Sequence, residues 1–239
     1  MSKAQYQDLL QAGVHFGHMR KKWNPKMRQY IFAERKGVHI IDLNRTMECI
    51  EDAASAARSI AKSGRKILFV ATKKQARDIV TDAAKSVNMP YVTDRWLGGM
   101  LTNFSTIRRS IKKMQNIEQM LNDTSLTSIT KKEKLTLERE KIKLNRVLGG
   151  IVNLNRLPAA MFVVDITQEH LAVTEAQKLG IRTIAMVDTN SNPELVDFPI
   201  PSNDDASKSV TVITNLLVSA VKEGLEDRKK AKAELDSAS

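Results

Sequence analysis

Short, nearly uninterrupted apolar runs recur along the chain. They are Val38-His39-Ile40-Ile41, Lys66-Ile67-Leu68-Phe69-Val70-Ala71, Ala160-Met161-Phe162-Val163-Val164 and Thr183-Ile184-Ala185-Met186-Val187, with Tyr91-Val92-Thr93 as a fainter fifth. Rich in β-branched and aromatic residues and without in–out alternation, they have the pattern of strands covered on both faces. Helical segments follow most of them. Asp42 precedes one that runs to about Lys62 and ends at Gly64; Thr72 precedes one to about Val87, stopped before Pro90; Thr167 precedes one that stops at Gly180. Strands alternating with helices imply βαβ units and a parallel sheet. The pattern predicts an α/β fold of flavodoxin or Rossmann type, with helices on both faces.

The alternation breaks between about Asn103 and Arg146. Ile107, Ile111, Met114, Ile117 and Leu121 step by three and four, while Leu135 with Ile142, and Leu137 with Leu144, recur every seven, on either side of a polar turn at Asn122-Asp123-Thr124-Ser125. This predicts an antiparallel helical hairpin with a narrow coiled-coil seam, inserted into the α/β domain and projecting from it. The implied organisation is a globular unit of residues 1–102 plus 147–225, a hairpin of 103–146, and a flexible tail of 226–239. The stretch Leu225-Glu226-Asp227-Arg228-Lys229-Lys230 alternates in charge with little apolar content and is expected to fray.

Composition narrows the class. The 239 residues are 42% hydrophobic and 27% charged, ordinary values for a folded chain. The longest apolar run, Ala159 to Val164, is far short of the ~18 residues a membrane span needs. Met1 to Leu10 has no apolar core of a secretory signal. The single cysteine, Cys49, can form neither an internal disulfide nor a thiolate metal site alone, so a cytoplasmic protein is expected. The net charge of +11 is unevenly spread: residues 1–150 hold 29 basic and 14 acidic side chains, a net of +15, whereas residues 151–239 hold 9 and 13, a net of −4. That segregation points to one surface that meets a polyanion and another that does not. A membrane surface fits less well, for lack of a basic amphipathic helix with an aromatic face.

Catalytic motifs are sparse. After Ala71 comes Thr72-Lys73-Lys74-Gln75, with no glycine to let a backbone approach a dinucleotide. Gly98-Gly99 and Gly149-Gly150 flank the hairpin and suit hinges or close packing better than phosphate cradles. His15 and His18 are two ligands of an incomplete metal site. Asp204-Asp205 reads as an N-cap for a helix from Ala206, and Asp165 and Asp188 follow strands without a nucleophile, base or metal partner in sight. No cofactor, metal or small-molecule substrate is expected, and the chain reads as a non-enzyme.

The positive signals are basic. Residues 18–28 (His18, Met19, Arg20, Lys21, Lys22, Trp23, Asn24, Pro25, Lys26, Met27, Arg28) put five cations and a tryptophan in one loop, a combination suited to RNA backbone and splayed bases. Lys73 and Lys74 are placed in the first turn of a helix, where a cation is unfavourable by ~0.3–1 kcal/mol unless an anion docks there. Arg108-Arg109 repeats that placement at the start of the hairpin, whose other faces carry Lys112, Lys113, Lys131 and Lys132. A phosphate-ligand enzyme on the same fold, or a hairpin adaptor that binds only proteins, are the alternative classes.

Several motifs resemble one family. Gly13-Val14-His15-Phe16-Gly17-His18, Trp23-Asn24-Pro25-Lys26-Met27 and Arg95-Trp96-Leu97-Gly98-Gly99-Met100-Leu101-Thr102-Asn103 are similar to the bacterial small-subunit ribosomal protein S2 family. So are Pro158 to Asp165 with Glu169-His170 and Glu175-Ala176, then Val187-Asp188-Thr189-Asn190-Ser191 and Asn203-Asp204-Asp205-Ala206, in order from about Asp8 to Gly224. The resemblance implies a flavodoxin-like sheet with a protruding coiled coil in a cytoplasmic ribosomal component. It implies binding to small-subunit ribosomal RNA between head and body, late assembly, and help in docking the large OB-fold-repeat protein that recruits messenger RNA. The RNA-facing candidates it implies are the 18–28 loop, the 95–103 segment (Arg95, Trp96, Asn103) and the hairpin cations.

Overall fold

The computed structural model describes residues 3–122 and 130–237. In chain order the elements are α1 (Lys3–Gln11), β1 (Phe16–Met19), β2 (Ile31–Arg35), β3 (Val38–Ile41), α2 (Leu43–Lys62), β4 (Ile67–Val70), α3 (Arg77–Ser86), β5 (Tyr91–Val92), α4 (Phe104–Asn122), α5 (Lys131–Leu148), β6 (Ala160–Val164), α6 (His170–Lys178), β7 (Arg182–Val187), β8 (Phe198–Pro201) and α7 (Ser207–Ser237). Five strands form a parallel sheet in the order β5-β4-β6-β7-β8. In chain order that is 2-1-3-4-5, the doubly wound flavodoxin-like arrangement. The predicted α/β class is what the chain adopts. No helix among the described residues is long and apolar enough to cross a membrane.

The sheet explains its own sequence. Alternate residues of each strand point to opposite faces, and both faces are covered. Ile67, Phe69, Phe162, Val164, Ile184 and Met186 meet α1, α2, α3 and α7; Leu68, Val70, Met161, Val163, Ala185 and Val187 meet α6, the base of the hairpin and the loop holding Trp96, Met100 and Leu101. Every residue of β4 and β6 is buried, so the runs are apolar throughout. Phe69 and Phe162, neighbours across the parallel register, meet edge to face at 5.5 Å.

One apolar run belongs elsewhere. Val38–Ile41, expected in the parallel sheet, is β3 of a separate antiparallel sheet ordered β1-β3-β2. Lys36 and Gly37 both take positive φ, 52° and 77°, and close the tight β2–β3 hairpin. Its alternating burial, with His39 and Ile41 inside, is that of a half-covered strand.

Helix starts also shift. α2 is capped by Asp42 as expected, its side chain accepting from the Asn44 amide at 2.9 Å. α3 begins at Arg77, not after Thr72, and α6 at His170, not after Thr167. In each case a buried or turn-forming carboxylate takes the early amides: Glu169 accepts from Thr72 N, and Asp165, itself at φ 67°, accepts from Thr167 N and Gln168 N. Lys73 and Lys74 therefore lie in a turn, not in a first helical turn. Past Gly224, where fraying was expected, α7 continues to Ser237. Gly224 is buried, and a Cβ there would collide with the Arg58 carbonyl oxygen of α2.

The hairpin forms from α4 and α5, with Ile107, Ile111, Met114 and Ile117 buried along α4. On α5 a capping box closes the start: Glu133 N donates to Thr130 Oγ1, and the Glu133 carboxylate accepts from Thr130 N. Of the two seven-residue registers in that helix, only Leu137 and Leu144 turn inward. Leu135 and Ile142 face solvent, Ile142 at 68% exposure. The arrangement is apolar at the seam and ionic at its rim: Lys113–Glu140 and Lys141–Glu118 pair across the two helices beside the buried α4 positions. Of the expected polar turn, only Asn122, the last residue of α4, lies within the described residues. Ile111→Ala is expected to cost ~2–5 kcal/mol in urea unfolding, against under ~0.5 kcal/mol for Ile142→Ala, because only the first leaves a cavity; equal costs would reverse the seam.

Candidate nucleic-acid interface

Loops following β4, β6, β7 and β8 converge at the carboxyl edge of the sheet, joined by the end of β1. At their centre is Lys73. Its ammonium lies 2.8 Å from Asp165 Oδ2, 2.6 Å from Asp204 Oδ1 and 2.7 Å from Asp205 Oδ1. Burial alone would lower its pKa, but the three carboxylates outweigh this and hold it charged. With all its hydrogens directed at carboxylates, Lys73 is an internal strut, whereas Lys74 beside it is exposed. Asp204 and Asp205 do not cap α7; Asn203 Oδ1 accepts from the amides of Asp205 and Ala206 instead.

His18 closes the cluster from β1. Its Nδ1 lies 3.0 Å from Asp188 Oδ2, its Nε2 3.4 Å from Asp205 Oδ2, and its amide donates to Thr189 Oγ1 at 2.8 Å. The Asp188 hydrogen bond raises the His18 pKa despite partial burial. Burial, with Asp165 and Asp188 nearby, pushes Asp204 up to about 7 although Lys73 opposes it. His15 takes a different place, its ring 4.1 Å from that of Phe16, its Nδ1 buried without a partner and its pKa lowered by burial. Among the described residues no group of His, Cys, Asp and Glu could hold a metal; an ammonium fills the centre of the acidic cluster.

A second carboxylate fixes the 95–103 segment. Glu175 of α6, buried, accepts at Oε1 from Trp96 Nε1 (3.0 Å) and Gly99 N (2.8 Å). At Oε2 it accepts from Leu101 N (2.9 Å), Thr102 N (3.0 Å) and Thr102 Oγ1 (3.0 Å). Burial would raise its pKa, but these donors prevail and hold it down. Trp96 is therefore interior, a support and not a stacking face. Gly99, at φ 86°, supplies the turn. Gly150 proves a close-packing glycine, since a Cβ there would collide with the Tyr91 carbonyl oxygen.

Nearby, Asp94 bridges α3 and the hairpin: Arg77 Nη2 donates to its carbonyl at 3.0 Å and Arg146 Nε to its Oδ2 at 3.0 Å. Arg108 donates to the carbonyls of Val152 and Leu154 at 3.1 and 3.2 Å, bolting the base of the hairpin to the globular unit. Arg77, Asp94, Glu169 and Glu175 lie outside the candidates that the sequence suggests, because their partners are distant in the chain; only the Glu169-His170 and Glu175-Ala176 motif steps point near them.

The remaining candidates divide by partner. In the 18–28 loop, Arg20 pairs with Glu34, Lys26 with Glu194, and Asn24 Oδ1 caps the turn by accepting from Lys26 N. Trp23 is half-buried against His39 at 5.2 Å between rings. Lys113 is committed to Glu140. Lys21, Lys22, Arg28, Lys74, Arg95, Arg109, Lys112, Lys131 and Lys132 are exposed, as is Asn103, and none of these cations enters an ion pair between described residues. The geometry thus offers cations on a braced loop, on the turn beside the sheet edge and along the hairpin.

Residues 9–224 match the family described as ribosomal protein S2. The chain belongs to the ribosomal protein S2 family. Similar curated proteins bear the name small ribosomal subunit protein uS2. That of Cytophaga hutchinsonii is 57% identical over 230 residues, 96% of this chain and 91% of the relative. That of Flavobacterium johnsoniae is 58% identical over 227 residues, covering 95% and 89%, and that of Parabacteroides distasonis 54% over 238 residues, covering 100% and 86%. Membership gives a structural role in translation and not an enzymatic one.

The Lys73 cluster gives this S2-family chain a pH signature. An acid whose pKa is raised in the folded chain keeps its proton longer there, so its contribution is greatest below the ordinary ~3.9 and is lost as pH climbs toward 7. The raised His18 acts in the same sense, its contribution full below its ordinary value and lost above the folded one. In thermal unfolding, Asp204 and His18 are therefore expected to contribute a component of stability that falls between pH 4 and 7, by up to ~1.4 kcal/mol per pH unit from Asp204, while Asp205 and Glu175, whose carboxyls are held low, contribute the opposite slope near pH 4. Asp204→Asn should flatten that fall; an unchanged slope would contradict the assignment.

Proposed function

We propose that the chain binds small-subunit ribosomal RNA through the exposed cations of the 18–28 loop, Lys74, Arg95 and the hairpin, as a component of the small ribosomal subunit lying between head and body. It supports late assembly and the docking of the large OB-fold-repeat protein that recruits messenger RNA, a role that the family resemblance implies. The observation that carries the reading is the separation of charge by task. Cations with structural duties (Lys73, Arg77, Arg108) are held by carboxylates or carbonyls of the fold, while the 18–28 loop, Lys74, Arg95 and the hairpin each present exposed cations that enter no ion pair between described residues. A phosphodiester backbone is the polyanion that such an array of unpaired cations fits.

A phosphate-ligand enzyme finds less support. The crevice where such folds hold nucleotides lies at the carboxyl ends of the strands, at the β4/β6 switch point. Here Thr72 N, the amide that would face a phosphate, donates to Glu169 at 2.6 Å, and the space beyond holds the Lys73 ammonium.

The test replaces Lys21 and Lys22 together by Glu. Affinity for small-subunit ribosomal RNA, measured from about 50 to 200 mM salt, should fall. The log–log salt slope should flatten by roughly 0.7–0.9 for each phosphate that the loop no longer neutralises, while stability stays within ~0.5 kcal/mol of the parent. An unaltered slope would remove the loop from the interface.

A further inference from the structure

The amino edge of the sheet, opposite the loops described above, carries a second basic surface. Along the last turns of α7 the charges are sorted by helical face. Glu223 and Asp227, four residues apart, turn toward α2 and pair with Arg58 at 3.2 and 3.0 Å. Lys222, Lys229 and Lys232, spaced seven and three, lie on another face. With Arg228 and Lys66 they line a groove of about 590 Å³ in which Glu226 is the single carboxylate among the described residues.

The groove is built on fixed points. Lys66, just before β4, donates from Nζ to the Asn88 carbonyl at 2.7 Å and so ties the entries of β4 and β5 together. Arg228 lies flat over Gly64, where a Cβ would collide with the guanidinium carbon; the residue at φ 75° that ends α2 is also the one that admits the arginine. An adjoining hollow of about 360 Å³ shares Lys66 and Asn88 and adds Lys85, whose ammonium stands 5.8 Å from the Tyr91 ring centre. None of the ion pairs between described residues involves Lys85, Lys222, Arg228, Lys229 or Lys232.

We propose that this groove is a second binding track for the RNA phosphodiester backbone, so that the chain holds RNA at both edges of its sheet. The inference rests on the RNA-binding reading above and adds a surface to it. The −4 charge of residues 151–239 conceals it. Much of that acidity is internal, in Asp165, Asp188, Asp204 and Glu175, or spent on Arg58, and what α7 presents outward at this edge is positive. Five cations facing one carboxylate around an open groove make a surface whose charge complements phosphates.

The test uses the full chain with Lys222→Glu, Lys229→Glu and Lys232→Glu combined, and a Lys→Gln triple as a milder version, both at exposed helix positions. Filter binding to small-subunit ribosomal RNA should show the salt slope reduced by about 2–3 for the charge reversal. Hydroxyl-radical footprinting should lose protection over a segment different from the one that Lys21→Glu and Lys22→Glu uncover. If slope and footprint match the parent while the loop variant changes both, the groove is overturned and the RNA reading stands. If the parent protects no RNA, the reading itself falls. Normal RNA binding with failed incorporation into subunits would also overturn the proposal, in favour of an acidic protein partner.

Discussion

The side of the globular unit that carries the 95–103 segment depends on a buried carboxylate that cannot leave. Glu175 accepts five hydrogen bonds, three of them from the backbone of a loop that has no regular structure to satisfy its amides. Hydrogen bonds to a charged group contribute ~1.5–3 kcal/mol each, and an unpaired buried acceptor or donor costs a comparable amount. The loop and α6 therefore hold each other: without the carboxylate the amides of Gly99, Leu101 and Thr102 lack a partner, and without the amides the charge is stranded. This fixes Trp96 in the core between the sheet and α6, leads the chain into α4 at Phe104 and leaves Arg95 outside. Asp94 and Arg108 complete the attachment of the hairpin base.

The carboxyl edge works by the same logic with the signs exchanged. There an ammonium, Lys73, gathers three carboxylates from loops after β6 and β8, and His18 joins Asp188 to Asp205. The antiparallel sheet is thereby tied to the parallel one, and the 18–28 loop hangs from that junction, with Asn24 N donating to the Thr189 carbonyl at 2.8 Å. Internal charge sets the frame, and the surplus cations are left outside it. A net charge of +11 is the residue of that division.

The parallel sheet is legible in sequence because burial on both faces writes continuous apolar runs, and α2 is legible to within a residue because its cap and stop are local. β3 is not: four residues are too few to show alternation, and the Lys36-Gly37 turn that pairs it backwards is marked by a lone glycine. In α5 two heptad registers are equally good in sequence, and only packing against α4, with the cross-helix pairs to Glu118 and Glu140, distinguishes them. Among the site residues, exposure of Lys21, Lys22 and Arg28 follows from a polar loop. The inward turn of Lys73 does not, since its partners lie 131 and 132 residues away in two cases. Glu175 is the same kind of omission, a glutamate in an ordinary helix whose importance is set by donors 73 to 79 residues earlier.

The direct measurement of this arrangement is native-state amide hydrogen exchange in the 96–102 loop. If Glu175 holds the loop as described, the amides of Gly99, Leu101 and Thr102 exchange only on global unfolding, with protection matching that of β4 and β6. Exchange at the rate of an open surface loop, with the sheet still protected, would contradict the account.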